Sequence, residues 1–179
     1  MASGLDSFEW VCTCCGLRHR GVPDLAFRSP FVVEEGERGN PRVVIEDKTD
    51  DACVLTVDGD RAFFIRGVLP IPIRGSEESF GIGAWSTLSE ASFDTYCCGV
   101  PRADQGRSGS FYGYLANEVP GFPGSMNLVL DVAPQDGRLR PLLHVQAGED
   151  RSGLSAAQAE GWDRAQLGAF LSNTCGGAA

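Results

Sequence analysis

Cys12, Cys15, Gly16 and His19 fall in the order Cys-x-x-Cys-Gly-x-x-His, and no other stretch of the chain concentrates reactive side chains so tightly. Two thiolates at this spacing, with a small residue behind the second, can wrap a tight turn around a soft or borderline cation. The imidazole of His19 could reach the same ion. The pattern predicts a metal-held N-terminal knuckle, with zinc in a structural role and Cys12, Cys15 and His19 as ligands. A closed structural zinc site takes four ligands. The candidates for the fourth are Cys53, His144, Cys175, a carboxylate such as Asp24 or Asp150, and water. Cys14, between the two cysteines of the motif, is expected to point away, although a change of register could exchange it with either neighbour.

Two other readings compete for the same residues. Reduced thiols also pack as small hydrophobes and bind nothing. Dithiol oxidoreductases share the Cys-x-x-Cys spacing but activate a thiolate at a helix N-terminus. Here Gly16, Gly21 and Pro23 follow, a poor start for a helix. The vicinal pair Cys97-Cys98 is expected near a helix end, where it could oxidise or lie half-buried.

Hydrolytic chemistry has little to work with. The chain has only two histidines, and neither sits in His-Glu-x-x-His or beside a Gly-x-Ser-x-Gly elbow. Phe80-Gly81-Ile82-Gly83 lacks the third glycine and the following helix of a dinucleotide loop, so strand geometry or a bulge explains it better. Asp58 and Asp60 read as turn formers around Gly59. The acids needed for a calcium loop are missing. Arg66, Arg138 and Arg140 could hold a carboxylate on a partner. Arg66, inside an apolar strand, is the most suggestive of them, against the simpler reading of a salt bridge at a sheet edge.

The elements that must position these groups follow from periodicity and turn chemistry. Residues 1–24 hold the knuckle. Residues 28–51 are rich in Pro, Gly and acids and read as a loop with at most a short helix or strand. Residues 53–57 are strand-like, Asp58-Gly59 is a hairpin turn, and residues 62–69 resume as a strand. Pro70 and Pro72 put the next stretch at an edge or in a bulge. Residues 80–88 form a further strand. Ser89 and Glu90 then open a helix through about Cys98. Residues 110–116, 126–132 and 139–146 read as strands. A short helix over 156–160 is broken by Gly161. Asp163 caps a last helix with Ala165, Leu167, Phe170 and Leu171 on one side. Phe63, Phe64, Trp85, Phe111, Tyr112, Tyr114 and Phe122 are assigned mostly to the core by alternation, and some of them could line a groove. Strands in a run with helices last predict an α+β fold, one domain over 1–179 with a mainly antiparallel sheet. Its parts are the knuckle (1–24), the loop-rich segment (28–51), the sheet with one inserted helix (52–146) and the C-terminal helices (155–173).

Composition sets outer limits. The 179 residues carry a net charge of -9, with 42% hydrophobic and 22% charged residues. A chain of this length buries roughly 70% of its unfolded surface, so a metal would organise one corner without being the sole source of the fold. Lys48 is the only lysine and no basic cluster exists. The footprint of a nucleic-acid binder is therefore absent, and an acidic chain is repelled by anionic membranes. Seven cysteines, an odd number, do not suit a small secreted disulfide scaffold. Met1 to Asp6 has neither the basic nor the apolar region of a secretory signal, and no apolar run reaches the ~20 residues of a membrane helix. A cytoplasmic location follows as the expectation.

The chain resembles the bacterial family of domain of unknown function 2199, from about Trp10 to Phe170. The resemblance rests on Cys12 to His19 with Gly21-Val-Pro-Asp24, on Cys53-Val with Phe63-Phe-Ile-Arg-Gly67, and on Phe80-Gly-Ile-Gly-Ala-Trp85 with Leu88-Ser-Glu90. It continues through Gly113-Tyr-Leu115, Pro120-Gly-Phe-Pro123, Asn127-Leu128, Leu139-Arg-Pro141 and Gly161. It implies an architecture and a candidate metal site, not a reaction. Family members commonly carry Asp-His-Pro-Leu after the last strand, whose histidine would complete a Cys-Cys-His-His set. Here the segment reads Glu149-Asp150-Arg151-Ser152-Gly153-Leu154, with no histidine. The combined reading is a binding protein, with an unspecified protein or small-molecule partner and a structural zinc knuckle. The alternative is an enzyme using the cluster as an open zinc site or dithiol.

Overall fold

In a computed structural model, residues 4–99, 102–107, 109–137 and 139–174 are described. Cys175 and Arg138 lie outside them. The described residues form an α+β arrangement of ten strands and four α-helices. Strands β1 (Glu9–Val11) and β2 (Arg18–Arg20) make a separate antiparallel hairpin. The main sheet comprises β3 (Leu25–Ala26), β4 (Val43–Lys48), β5 (Ala52–Val57), β6 (Asp60–Pro72), β7 (Ser79–Leu88), β8 (Phe111–Tyr114), β9 (Val129–Ala133) and β10 (Leu142–Val145). Its order is β3-β7-β6-β10-β9-β8, with β5 also on β6 and β4 outside β5. Among the described strands, only β3–β7 and β6–β10 pair in parallel.

The long strand β6 organises the rest. Asp58 and Gly59 both adopt positive φ, 54° and 95°, the twist a two-residue hairpin needs, and so fold β5 back on β6. Along β6 the side chains alternate between two apolar clusters. Ile65, Leu69 and Ile71 enter the larger one with Ile82, Leu115, Leu130 and Leu143, whereas Phe64 joins Trp85, Cys53, Leu55 and Val33 in the smaller. Pro70 and Pro72 lie within the strand, paired with Gly81 and Ser79 of β7. The amides of Arg66 and Val68 face the opposite edge, bonding the carbonyls of Asp51 and Pro141. By the same alternation, the missing amides of the prolines fall on that edge beyond the reach of β10. The Pro72 carbonyl there accepts from the Trp162 amide at 2.8 Å, so this half of the strand is bridged and is not the expected edge.

The far end of the sheet curls back on β7. The Ala116 amide donates to the Trp85 carbonyl at 2.8 Å and the Tyr114 amide to the Thr87 hydroxyl at 2.9 Å. The buried Asn117 ties the same region down, accepting from the Trp85 amide and donating to the Ser29 carbonyl.

Several elements differ from expectation. The stretch read as loop carries both α1 (Phe31–Glu37) and the six-residue strand β4. Each buries a single residue, Val33 and Val43, so neither shows an apolar period in the sequence. The helix begun at Ser89 reaches the expected end but changes type: α2 (Glu90–Asp94) passes into a π-helical turn over Thr95–Gly99 that bears Cys97 and Cys98, both exposed. The expected cap is present, the Ser89 hydroxyl accepting from the Ser92 amide at 3.2 Å. At the C-terminus, α3 (Leu154–Glu160) ends at Gly161 and α4 (Arg164–Thr174) buries Leu167, Phe170, Leu171 and Thr174, while Ala165 faces solvent. Tyr112 and Tyr114 are not core residues: at 53% and 42% exposure they project from the uncovered face of β8.

Candidate metal centre

The hairpin β1–β2 presents its turn as the candidate centre. Register sets Trp10 opposite His19, and their rings stack at 4.6 Å between centroids with planes 19° apart. Trp10 is buried and its indole N–H donates to the Gly21 carbonyl at 3.1 Å, so the imidazole rests on a fixed wall.

Between the strands the backbone closes a tight loop. The Cys12 amide donates to the Leu17 carbonyl at 3.0 Å and the Gly16 amide to the Cys12 carbonyl at 2.9 Å. Gly16 has φ +69°, a left-handed conformation that a side chain would strain. The Cys14 amide donates to the Cys12 sulfur at 3.3 Å. Cys14 thus contributes its backbone, while its side chain stays exposed and outside the ligand group. Helix α4 braces the loop from behind, its Ser172 carbonyl accepting from both the amide and the hydroxyl of Thr13.

The result is a convergence of donors. One ligand atom from each of Cys12, Cys15 and His19 lies within 4.8 Å of the other two. Cys15 Sγ and His19 Nε2 are 3.4 Å apart. Bond lengths of about 2.3 Å to sulfur and about 2.0 Å to nitrogen give tetrahedral edges of roughly 3.5 to 3.8 Å, so the group closes on an ion with small movements. Cys12 is 2% exposed and packed in the larger core, whereas Cys15 is open to solvent.

No other His, Cys, Asp or Glu joins this group among the described residues. Cys53 is buried in the smaller apolar cluster. His144 is exposed on β10, opposite Asp131. Asp24 lines a separate cleft. Asp150, in the segment where the family resemblance implies a histidine, is committed to the first turn of α3, accepting from the amides of Ser152 and Ser155 at 2.7 Å each. Glu9 is ion-paired with Arg18 at 3.0 Å. The chain leads from the knuckle into β2 rather than a helix, so no helix N-terminus activates either thiol.

Sequence reasoning missed the Trp10 wall and the Thr13 brace. Alternation across a β1–β2 hairpin would have paired Trp10 with His19. Nothing local signals that Ser172 lies against Thr13.

A family model described as "Uncharacterized protein conserved in bacteria (DUF2199)" matches residues 11–162. The chain belongs to this family. The matched span includes all three donors and the whole main sheet. No curated protein and no solved structure matches the chain. No helix among the described residues is long and apolar enough to cross a membrane.

Proposed function

We propose that this family member is a cytoplasmic binding domain whose N-terminal hairpin is held by one structural zinc ion on Cys12, Cys15 and His19. The observation that carries the reading is the meeting of two sulfurs and an imidazole nitrogen within 4.8 Å around a buried Cys12. A binding role is favoured over catalysis because a zinc hydrolase needs a general acid or base beside the metal. Glu9, the acid nearest in sequence, is instead engaged by Arg18. Zinc-knuckle energies on the order of 10 kcal/mol make metal removal disruptive to the hairpin.

Elemental analysis of untagged protein prepared without added metal tests this directly. The expected result is near-equimolar zinc that is lost in Cys12→Ser and Cys15→Ser and retained in Cys14→Ser. Protein without metal, whose Cys12 and Cys15 titrate freely with a thiol reagent, would overturn it.

One observation favours a second reading. The described residues supply three donors, and Cys15 is exposed, so water in the fourth position would make the ion accessible. Hydrolytic activity that requires the bound ion would establish that alternative.

A further inference from the structure

Strand β3 ends the main sheet, paired among the described strands only with β7. Its run of chain borders a cleft of about 930 Å³. One wall of the cleft is the unbroken stretch 24–29, and α1 and Lys48 of β4 build the other. Backbone groups along the stretch alternate in direction. The Phe27 amide donates to the Gly83 carbonyl at 2.9 Å, and the Phe27 carbonyl accepts from the Trp85 indole N–H at 3.2 Å. The Ser29 carbonyl accepts from the Asn117 side chain at 2.9 Å. These groups face the body of the fold, so those of Ala26 and Arg28, between them, face the cleft. No described residue bonds the Arg28 amide or carbonyl. An open edge of this kind is a template for another strand.

The charges on the two walls are not equally used. Arg38 pairs with Glu34 at 3.3 Å and Lys48 with Glu37 at 2.7 Å, so the wall opposite β3 is neutral in itself. Asp24 and Arg28 line the same cleft, both exposed, and make no ion pair or hydrogen bond among the described residues. They lie four positions apart on an extended run, which places them about 13 Å apart at about 3.3 Å per residue. An extended peptide of four residues with free ends has about the same span between its ammonium and its carboxylate.

We propose that this cleft binds a short extended peptide as a strand added to the free edge of β3, its ammonium end at Asp24 and its carboxylate end at Arg28. The two charges set the direction. The peptide runs parallel to β3, because the reverse alignment would bring carboxylate to carboxylate and cation to cation. Main-chain bonds to Ala26 and Arg28 hold the added strand, and its ends fix the register. A planar guanidinium takes a terminal carboxylate in two-point fashion. The cleft falls within the range of ligand pockets, about 300–1,000 Å³. This names the ligand class of the binding role proposed above and rests on that role, but it shares no residue with the knuckle.

The test follows the backbone amide signals of the full-length ¹⁵N-labelled protein by NMR during titration with tetra-alanine, once with free ends and once acetylated and amidated. The expected result is a saturable shift of the Ala26 and Arg28 amides with the free peptide, half-complete on the order of 1 mM, and about tenfold weaker binding of the blocked form. Ala26→Pro removes the outward amide at a position that an edge strand tolerates, and should abolish the Arg28 response. Arg28→Gln, at an exposed position, should weaken binding about tenfold, and it stands if Ala26→Pro fails to fold. No saturable shift, equal affinity for the blocked peptide, or binding undiminished in Arg28→Gln would each overturn the proposal. Shifts of the same amides on raising the protein concentration without peptide would assign the edge to a second copy of this chain, and would overturn it as well. Zinc content measured on the same samples separates the two readings: peptide binding without zinc removes only the knuckle, and zinc without peptide binding removes only the cleft site.

Discussion

The indole of Trp10 lies almost flat against the imidazole of His19, one strand position across the N-terminal hairpin. A metal-binding histidine is held in place by its outer contacts, whose loss typically costs about 10- to 100-fold in metal affinity. Trp10→Ala should weaken the zinc binding proposed above by this factor, and Trp10→Phe by less, since a flat ring remains. Competition against a chelating dye measures both. Wild-type affinity in Trp10→Ala would show that the stack does not orient His19.

Gly113 marks where β8 meets β7. A Cβ at this position would collide with the Thr87 carbonyl and the Ser86 hydroxyl. Gly113→Ala should therefore push the strands apart and destabilise the fold by about 1–3 kcal/mol, read from urea unfolding. An unchanged midpoint would mean that this closure contributes nothing.

Burial pushes the Cys53 thiol up from its ordinary 9.0 to about 11, with Lys48 opposing the shift and Asp47 and Glu37 adding to it. The native state thus favours the neutral thiol. The resulting stability is present in full below about pH 9 and is lost as pH rises through about 11. With any metal removed, mass-mapped alkylation at pH 8 should modify Cys14 and Cys15 quickly and leave Cys53 untouched until the protein unfolds. Native-state labelling of Cys53 at the rate of Cys14 would contradict its place in the core.

Asp150 shows the opposite shift. Desolvation alone would raise its pKa, but hydrogen bonds from Ser152 and Ser155 outweigh it and hold the group at about 2. The stabilisation is present above the ordinary value of 3.8 and disappears as pH falls through about 2. Discounted for solvent screening, and comparable to a helix cap, it amounts to about 1 kcal/mol. Asp150→Ala should lower stability by that amount at pH 7 and by almost nothing at pH 2, measured by thermal melts at both. An equal loss at the two pH values would point to packing rather than charge.

What the chain determines by itself is whatever neighbours along it decide. Cys12, Cys15 and His19 converge because a short loop ending in Gly16 brings nearby residues together. The Asp58-Gly59 hairpin, the Ser89 cap and the Gly161 break likewise depend on the backbone preferences of a few adjacent residues. Tertiary structure decided which faces are covered and which charges meet. Helix α1 and β4 carry no apolar period because each buries one residue, so only packing against the sheet reveals them. Tyr112 and Tyr114 alternate like core residues, yet both stand exposed on the outer face of β8. Arg140 finds Asp51 across 89 positions, a pairing that no local pattern announces. Local geometry follows from local chemistry, whereas burial and pairing depend on segments that only folding brings near.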